Sequence, residues 1–323
     1  MKAIRITHTG DASVLSYQEV PIPVPGKGEA LVKLKAAGLN FIDIYIRTGR
    51  YARPLPFIPG LEGAGIVESI GEEVTEVKVG DRVAYTGTMG SYAEFNVVKA
   101  SDLILLPKEL SFEQGAAFPL QGMTAHYLIH EYYPIKKGTK VLVHAAAGGV
   151  GLLLVQWLNH LGATVIGTVS TPEKANIAKA AGAHYVINYN EEDFVAKAQE
   201  YTQGIGPDYI IDGVGKSTFT KNLDAIRMQG HICLFGSASG PADPLLPNSL
   251  QAKCLTISGG SLFYFMSTRT QLVQRANAVI NGIREGWLKL RIDHVFALNE
   301  AADAQRMLEG RKTVGKVILK IGE

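Results

Sequence analysis

An apolar run at 141–144 leads into Ala145-Ala146-Ala147-Gly148-Gly149-Val150-Gly151 and then into a second apolar stretch. A strand, a glycine turn and a helix in that order aim backbone N–H groups and the positive end of the helix at a pyrophosphate, where side chains would obstruct it. Gly148, Gly149, Val150 and Gly151 are therefore candidates to hold a dinucleotide. The run departs from G-x-G-x-x-G in placing Ala146 where the first glycine would stand. Its weight comes from lying inside a strand–helix series. An NAD site usually offers a carboxylate about 20 residues further on, at the tip of the second strand. Here 167–174 reads Gly-Thr-Val-Ser-Thr-Pro-Glu-Lys. Ser170 and Lys174 supply the donor and positive charge that a 2′-phosphate takes, so NADPH is expected over NADH, although Glu173, free to point either way on the following helix, weakens the case.

Other reactive side chains do not form recognisable sets. Ser237 and Ser239 sit in Gly-Ser-Ala-Ser-Gly, which is not nucleophile-elbow spacing, and hydrolase chemistry is disfavoured. His126 and His130, beside Glu131, lack the H-E-x-x-H arrangement and read as helix-surface or interface residues. Asp43 and Arg47 are four apart, which suits a helical ion pair as well as a catalytic role. Two cysteines, Cys233 and Cys254, exclude a disulfide framework, a Cys-rich zinc lobe and an iron–sulfur cluster. Both read as reduced packing residues.

The elements that must position these groups fall into three zones. A chain of 323 residues, 46% apolar and 19% charged, has material for two cores. Its 35 glycines exceed the usual ~7%. A net charge of +2 gives no reason to expect a polyanion partner. Residues 1–120 show short strands at 30–35, 65–70 and 82–85, with proline clusters that forbid long helices. From 121 to 260 strands alternate with helices: strands at 140–144, 164–169, 185–188, 209–212 and 232–235, helices at 151–161, 171–181, 191–202 and 217–228. That rhythm implies a parallel sheet with crossover helices. Helices at 268–285 and 301–309 and a strand at 316–321 close the chain and are expected to pack back on the first zone. The uncharged stretch 141–158 is broken by glycines and reads as strand, loop and helix rather than a membrane span. With no signal-peptide core at the start, a cytoplasmic protein is expected.

The run 60–74, Gly-Leu-Glu-Gly-Ala-Gly-Ile-Val-Glu-Ser-Ile-Gly-Glu-Glu-Val, resembles the medium-chain alcohol dehydrogenase signature at every fixed position except one. The signature's zinc-ligand histidine is Leu61 here. Asn40 stands where zinc members carry a ligand cysteine, and the third ligand falls near Leu120, so no metal is expected. Together with the blocks 40–51, 142–156 and 162–168, this identifies the chain as similar to the zinc-independent quinone oxidoreductase, or zeta-crystallin-like, family. The resemblance spans nearly the whole sequence.

It implies an α/β protein: a Rossmann doubly wound parallel sheet at 123–262, binding NADP, and a GroES-like, mostly β catalytic domain formed by 1–122 with 263–323. It also implies that Gly149 and Val150 face the pyrophosphate, and that Ser170, Lys174 and Tyr189 surround the 2′-phosphate with Arg311. Gly236, Ser239, Ser261 and Leu262 then approach the nicotinamide. Asn40, Asp43, Tyr45, Tyr51 and Thr124 line a substrate cleft, Tyr45 or a water on Asn40 steadying charge on the acceptor oxygen. The activity implied is hydride transfer from NADPH to a quinone or another small electrophilic carbonyl, in a homodimer paired through an edge strand near 255–258. The rival readings are a reductase of α,β-unsaturated carbonyls and a non-catalytic NADPH- or RNA-binding crystallin-like protein. The near-neutral charge and the lack of aromatic stacking motifs disfavour nucleic acid.

Overall fold

The computed structural model describes residues 1–322 and divides into two compact units: 1–120 with 267–276 and 290–322, and 121–266 with 277–289. From sequence, 1–122 and all of 263–323 are expected in the first unit; instead 121–122, 263–266 and 277–289, and with the last the end of the helix Arg269–Arg284, belong to the second.

In the first unit β1 (Lys2–Arg5) and β2 (Ser16–Glu19) form an antiparallel ribbon. β3 (Glu29–Gly38), β4 (Glu62–Ile70), β5 (Arg82–Thr86), β6 (Phe95–Lys99) and β7 (Ile104–Leu105) follow along the chain. The second unit holds β8 (Lys140–Val143), β9 (Thr164–Val169), β10 (Tyr185–Asn188), β11 (Tyr209–Asp212), β12 (His231–Leu234) and β13 (Thr256–Gly259). The chain then returns to the first unit with β14 (Ile292–Ala297) and β15 (Lys316–Lys320).

The first unit's sheet runs β14-β15-β3-β4-β5-β7, with β6 also paired to β3. It is antiparallel apart from the β14–β15 pair. Its inward face packs Ile4, Val32, Leu34, Val67, Val83, Tyr85 and Val98 with Leu319 into one core. Long β3 lies at the centre, so its C-terminal end is fixed by strands on both sides.

The second unit is a six-stranded parallel sheet in the order β10-β9-β8-β11-β12-β13, the doubly wound arrangement. Its inner strands β9, β8, β11 and β12 are largely buried apolar runs, as a sheet covered on both faces requires. The helix Gly149–His160 between β8 and β9 buries Leu152, Leu153, Leu154, Val155, Trp157 and Leu158. β13 is an edge strand one residue later than expected. The helix Pro119–His130 does not figure among the sequence-predicted elements. Among the described residues no helix is long and apolar enough to cross a membrane.

Candidate functional site

In the second unit, the carboxyl ends of the parallel strands carry the dinucleotide candidates. Strand β8 passes through His144 into a turn where Ala145 adopts φ of 53°. The Ala146 N–H bonds to the Thr168 carbonyl at 3.0 Å, tying the turn to β9. Gly148 precedes the helix, and the N–H groups of Gly149, Val150 and Gly151 occupy its first turn, where helices lack internal acceptors. A Cβ on Gly151 would sit 2.2 Å from the Ala145 carbonyl oxygen, so only glycine lets the helix start this close to the strand. The alanine in place of the first glycine is accommodated across the sheet: a Cβ on Gly167 would lie 2.7 Å from that of Ala146. Gln121 escaped the sequence reading. Its side chain covers Gly149, whose Cβ would approach the Gln121 Oε1 to 2.2 Å.

Ser170 follows β9 and Tyr189 follows its neighbour β10, with the Tyr189 N–H on the Val169 carbonyl at 3.1 Å. Lys174 lies in the first turn of the helix Pro172–Ala180, which Thr171 caps. The three expected residues are thus gathered at adjoining strand tips. Asn190, also missed, donates its amide to the Ser170 carbonyl at 2.7 Å and fixes that tip. Gly236 packs on Gly213. Ser239 has a bracing role: its hydroxyl donates to the Val214 carbonyl at 2.8 Å and accepts from the Ser217 N–H at 3.0 Å. Ser261 precedes the short helix Leu262–Phe265, and Leu262 is buried. Thr124 is buried in the helix Pro119–His130. On that helix His126 is buried and His130 exposed, and both rings meet Trp157 edge-on.

A buried polar network underlies these loops. Asp212 accepts from the Val214 and Gly215 N–H groups, the Thr218 hydroxyl and the Asn222 amide. The Asn222 carbonyl oxygen then faces Nε2 of His144 at 2.7 Å, so Nε2 carries the proton and Nδ1 accepts from the Thr168 hydroxyl. Burial pushes the His144 imidazole below its ordinary pKa and keeps it neutral.

In the first unit, Asn40 precedes the helix Phe41–Arg47, and its N–H donates to Asp43 at 2.9 Å. Its amide donates to Glu62 at 2.8 Å and to the Gly38 carbonyl at 3.3 Å, while its carbonyl oxygen accepts from Lys316 at 2.8 Å. Lys316 also pairs with Glu62, whose other oxygen takes the Leu120 N–H at 2.7 Å. A Cβ on Gly38 would strike both the Lys316 and Glu62 side chains at 2.7 Å. Both N–H groups of the Asn40 amide are thus engaged within the fold, which leaves a water little more than one lone pair of its oxygen. Neither Glu62 nor Lys316 received a role from sequence. Glu62 is the glutamate of the dehydrogenase signature, but Lys316 carries no local signal.

Asp43 and Arg47 form no helical ion pair. Arg47, fully buried, instead donates to Gly10, Gln305 and Glu309, stapling its helix to the helix Ala301–Glu309. Asp43 accepts from Asn40 and from the Tyr92 hydroxyl at 3.1 Å, and its Oδ1 has no partner. Tyr45 stands one turn from its helix start, under the Arg50 guanidinium at 4.6 Å and edge-on to Tyr51 at 5.6 Å. Stacking of this kind holds a phenol in one orientation. Arg311, in this unit, is exposed in the turn after the helix Ala301–Glu309.

A doubly wound dinucleotide-type unit joined in one chain to a GroES-like β unit defines a medium-chain dehydrogenase/reductase. Residues 26–108 match the alcohol dehydrogenase GroES-like domain, and 149–278 match the zinc-binding dehydrogenase family. The chain is 41% identical to a quinone oxidoreductase of Pseudomonas aeruginosa over 98% of its own length and 99% of the relative's. It is 39% identical to a 2-haloacrylate reductase of a Burkholderia species over 94% of each chain. The structure of Escherichia coli quinone oxidoreductase complexed with NADPH superposes with a TM-score of 0.97 at 38% identity, covering 99% of this chain and 100% of that one. The protein belongs to the zinc-independent quinone oxidoreductase family of the medium-chain dehydrogenase/reductases.

Two expectations follow. Burial pushes the Asp43 carboxyl up to about 7, against the opposing pull of the Asn40 N–H, the Lys316 ammonium and the Tyr92 hydroxyl. An unfolded aspartate releases its proton near pH ~3.9, so between about pH 4 and 7 the folded chain holds a proton that the unfolded chain has lost. Stability therefore falls through that window, by up to about 4 kcal/mol from this group. Asp43→Asn should make the fall shallower in denaturant titrations across the window; superimposable pH profiles for the two proteins would contradict it. In the second unit, Asn222→Leu strips buried partners from both Asp212 and His144. It should lower unfolding free energy by about 2–4 kcal/mol, and an unchanged denaturation midpoint would count against the network.

Proposed function

We propose that the protein is an NADPH-dependent quinone reductase. The observation that carries this reading is similarity over nearly the full length, at 41% identity, to a curated quinone oxidoreductase, joined to the fold match with an NADPH-complexed one. The residues present fit the nucleotide: the N–H groups of Gly149, Val150 and Gly151 open a helix at the carboxyl end of β8, and the tips of β9 and β10 offer hydroxyl, phenol and ammonium groups. When bound, NADPH supplies the hydride.

The protein's own part is to bind and orient. Backbone N–H groups of Gly149, Val150 and Gly151 hold the pyrophosphate, and Ser170, Lys174 and Tyr189 hold the 2′-phosphate. Gly236, Ser239, Ser261 and Leu262 shape the nicotinamide side. The Tyr45 phenol, fixed by Arg50 and Tyr51, donates a hydrogen bond to the acceptor oxygen as charge develops there. The similarity to a 2-haloacrylate reductase favours a second reading, in which the acceptor is an α,β-unsaturated acid or carbonyl. The exposed edge of β13 supports pairing with a second copy, and the two free cysteines suit a reducing cytoplasm.

NADPH oxidation followed with 1,4-benzoquinone, an enone, 2-chloroacrylate and a simple alcohol tests the acceptor. Turnover of the quinone is expected, and turnover of the unsaturated compounds alone overturns it. Lys174→Ala should raise KM for NADPH about tenfold, the size of one lost charge-assisted hydrogen bond, and leave KM for NADH nearly unchanged. Equal efficiency of the wild type with the two nucleotides would sink the 2′-phosphate assignment. Light scattering should give twice the 34.8 kDa chain mass, and a monomer would refute the edge pairing.

A further inference from the structure

The loop after the helix Phe41–Arg47 carries more positive charge than a neutral acceptor needs. From Thr48 to Ile58 it holds two arginines, Arg50 and Arg53, and no aspartate or glutamate. Carboxylates on the helix before it and on the helix Ala301–Glu309 are committed elsewhere: Asp43 to Asn40 and Tyr92, Asp303 to Arg306 and Glu309 to Arg47. Arg50 is occupied too, with its guanidinium 4.6 Å from the centre of the Tyr45 ring. Arg53 differs. It is exposed, and its guanidinium has no hydrogen bond, ion pair or ring contact among the described residues.

The loop holds that free charge close to Tyr45. The Tyr51 N–H donates to the Tyr45 carbonyl at 3.1 Å, and the two rings meet edge-on at 5.6 Å. Arg53 lies two residues further on, a span of at most about 7 Å of extended chain. Pro54 restricts Arg53 to extended backbone. Phe57, exchanging two backbone bonds with Ile6, ties down the far end of the loop. Tyr51 and Leu55, each nearly half exposed, offer apolar surface on either side of Arg53.

We propose that Arg53 selects acceptors that bear a carboxylate, binding that group while Tyr45 holds the reacting oxygen. A planar guanidinium fork matches the two oxygens of a carboxylate. The substrate class is then an acidic quinone or enone, with the charge on a side chain away from the reacting carbonyl. This rests on the reading that places the acceptor at Tyr45. Arg53 does not touch the reacting atoms, so its contact holds substrate and transition state alike and acts on KM rather than kcat.

Two acceptors of the same body test it: a 1,4-benzoquinone bearing a propanoate side chain, and the same quinone bearing the propanamide. With the full chain and NADPH, KM for the acid should lie about fivefold below KM for the amide, the size of one exposed ion pair. In Arg53→Gln the ratio should fall to about one, and about 0.5 M salt should do the same to wild type. Equal KM values in wild type overturn the proposal. So does a ratio that survives Arg53→Gln, the result expected if Arg53 only shapes the loop. Failure to reduce either quinone would defeat the quinone reading instead. Calorimetric titration of NADP⁺-saturated protein with para-hydroxyphenylpropanoate and its amide then decides the role of Arg53. Tighter binding of the acid that is lost in Arg53→Gln supports it; equal affinity, or no binding of the acid, overturns it.

Discussion

Taking an ammonium and a carboxylate out of water costs several kcal/mol per ion, and their attraction offsets this only where every remaining donor and acceptor is also met. At the Lys316–Glu62 pair the bonds come from four stretches of chain: the Asn40 amide, whose oxygen takes a second hydrogen of the ammonium and whose N–H reaches the carboxylate, the Leu120 N–H, and the strands β15 and β4 themselves. The arrangement tolerates little displacement. If β15 slipped by one residue, Lys316 would point to the opposite face and Glu62 would be buried alone. The register of the central strands, the void at Gly38, the start of the helix Phe41–Arg47 and the poise of Asp43 all depend on this contact.

The second unit meets the same difficulty without a counter-cation. The Asp212 carboxyl is fully buried, and four N–H or O–H donors surround it. A neutral histidine carries the chain of bonds on to Thr168. Each member has one arrangement that satisfies it, which makes the network rigid rather than merely stable. It binds the tips of β9 and β11 to the turn after β8, so the glycine turn and the 213–215 loop are placed by one set of bonds. Both units use buried polarity to set the position of a loop or helix start that backbone packing alone would leave adjustable.

Much of this was legible in the sequence where the signal is local. The strands at 164–169, 185–188 and 209–212 coincide with β9, β10 and β11, because short β-branched or apolar runs bounded by glycine or asparagine leave little choice. The helix Pro119–His130 escaped because it is buried nearly all round and so lacks the polar face that marks a surface helix. β14 alternates half-buried and exposed residues and offers no apolar run to read. The polar site was harder still. Asp43 and Arg47 have the spacing of an ion pair, but Arg47 finds partners more than 250 positions away. Asn40 and Lys316 are separated by 276 positions, and no spacing rule reaches that far.

The chemistry of the first unit follows from the same pair. An open metal site polarises a carbonyl because the ion keeps a free coordination position and most of its charge. Lys316 keeps neither: Glu62 neutralises it, and the Asn40 carbonyl oxygen takes a further hydrogen. It fixes geometry and cannot draw electrons from a substrate. On the proposed reading, what this unit offers the acceptor is a phenol held in one orientation by Arg50 and Tyr51. A single neutral hydrogen bond stabilises developing charge far less than a metal does, so the acceptor must bring its own electrophilicity. Quinones and activated alkenes do so, and unactivated ketones do not. The buried lysine and the acceptor class are therefore two sides of one constraint.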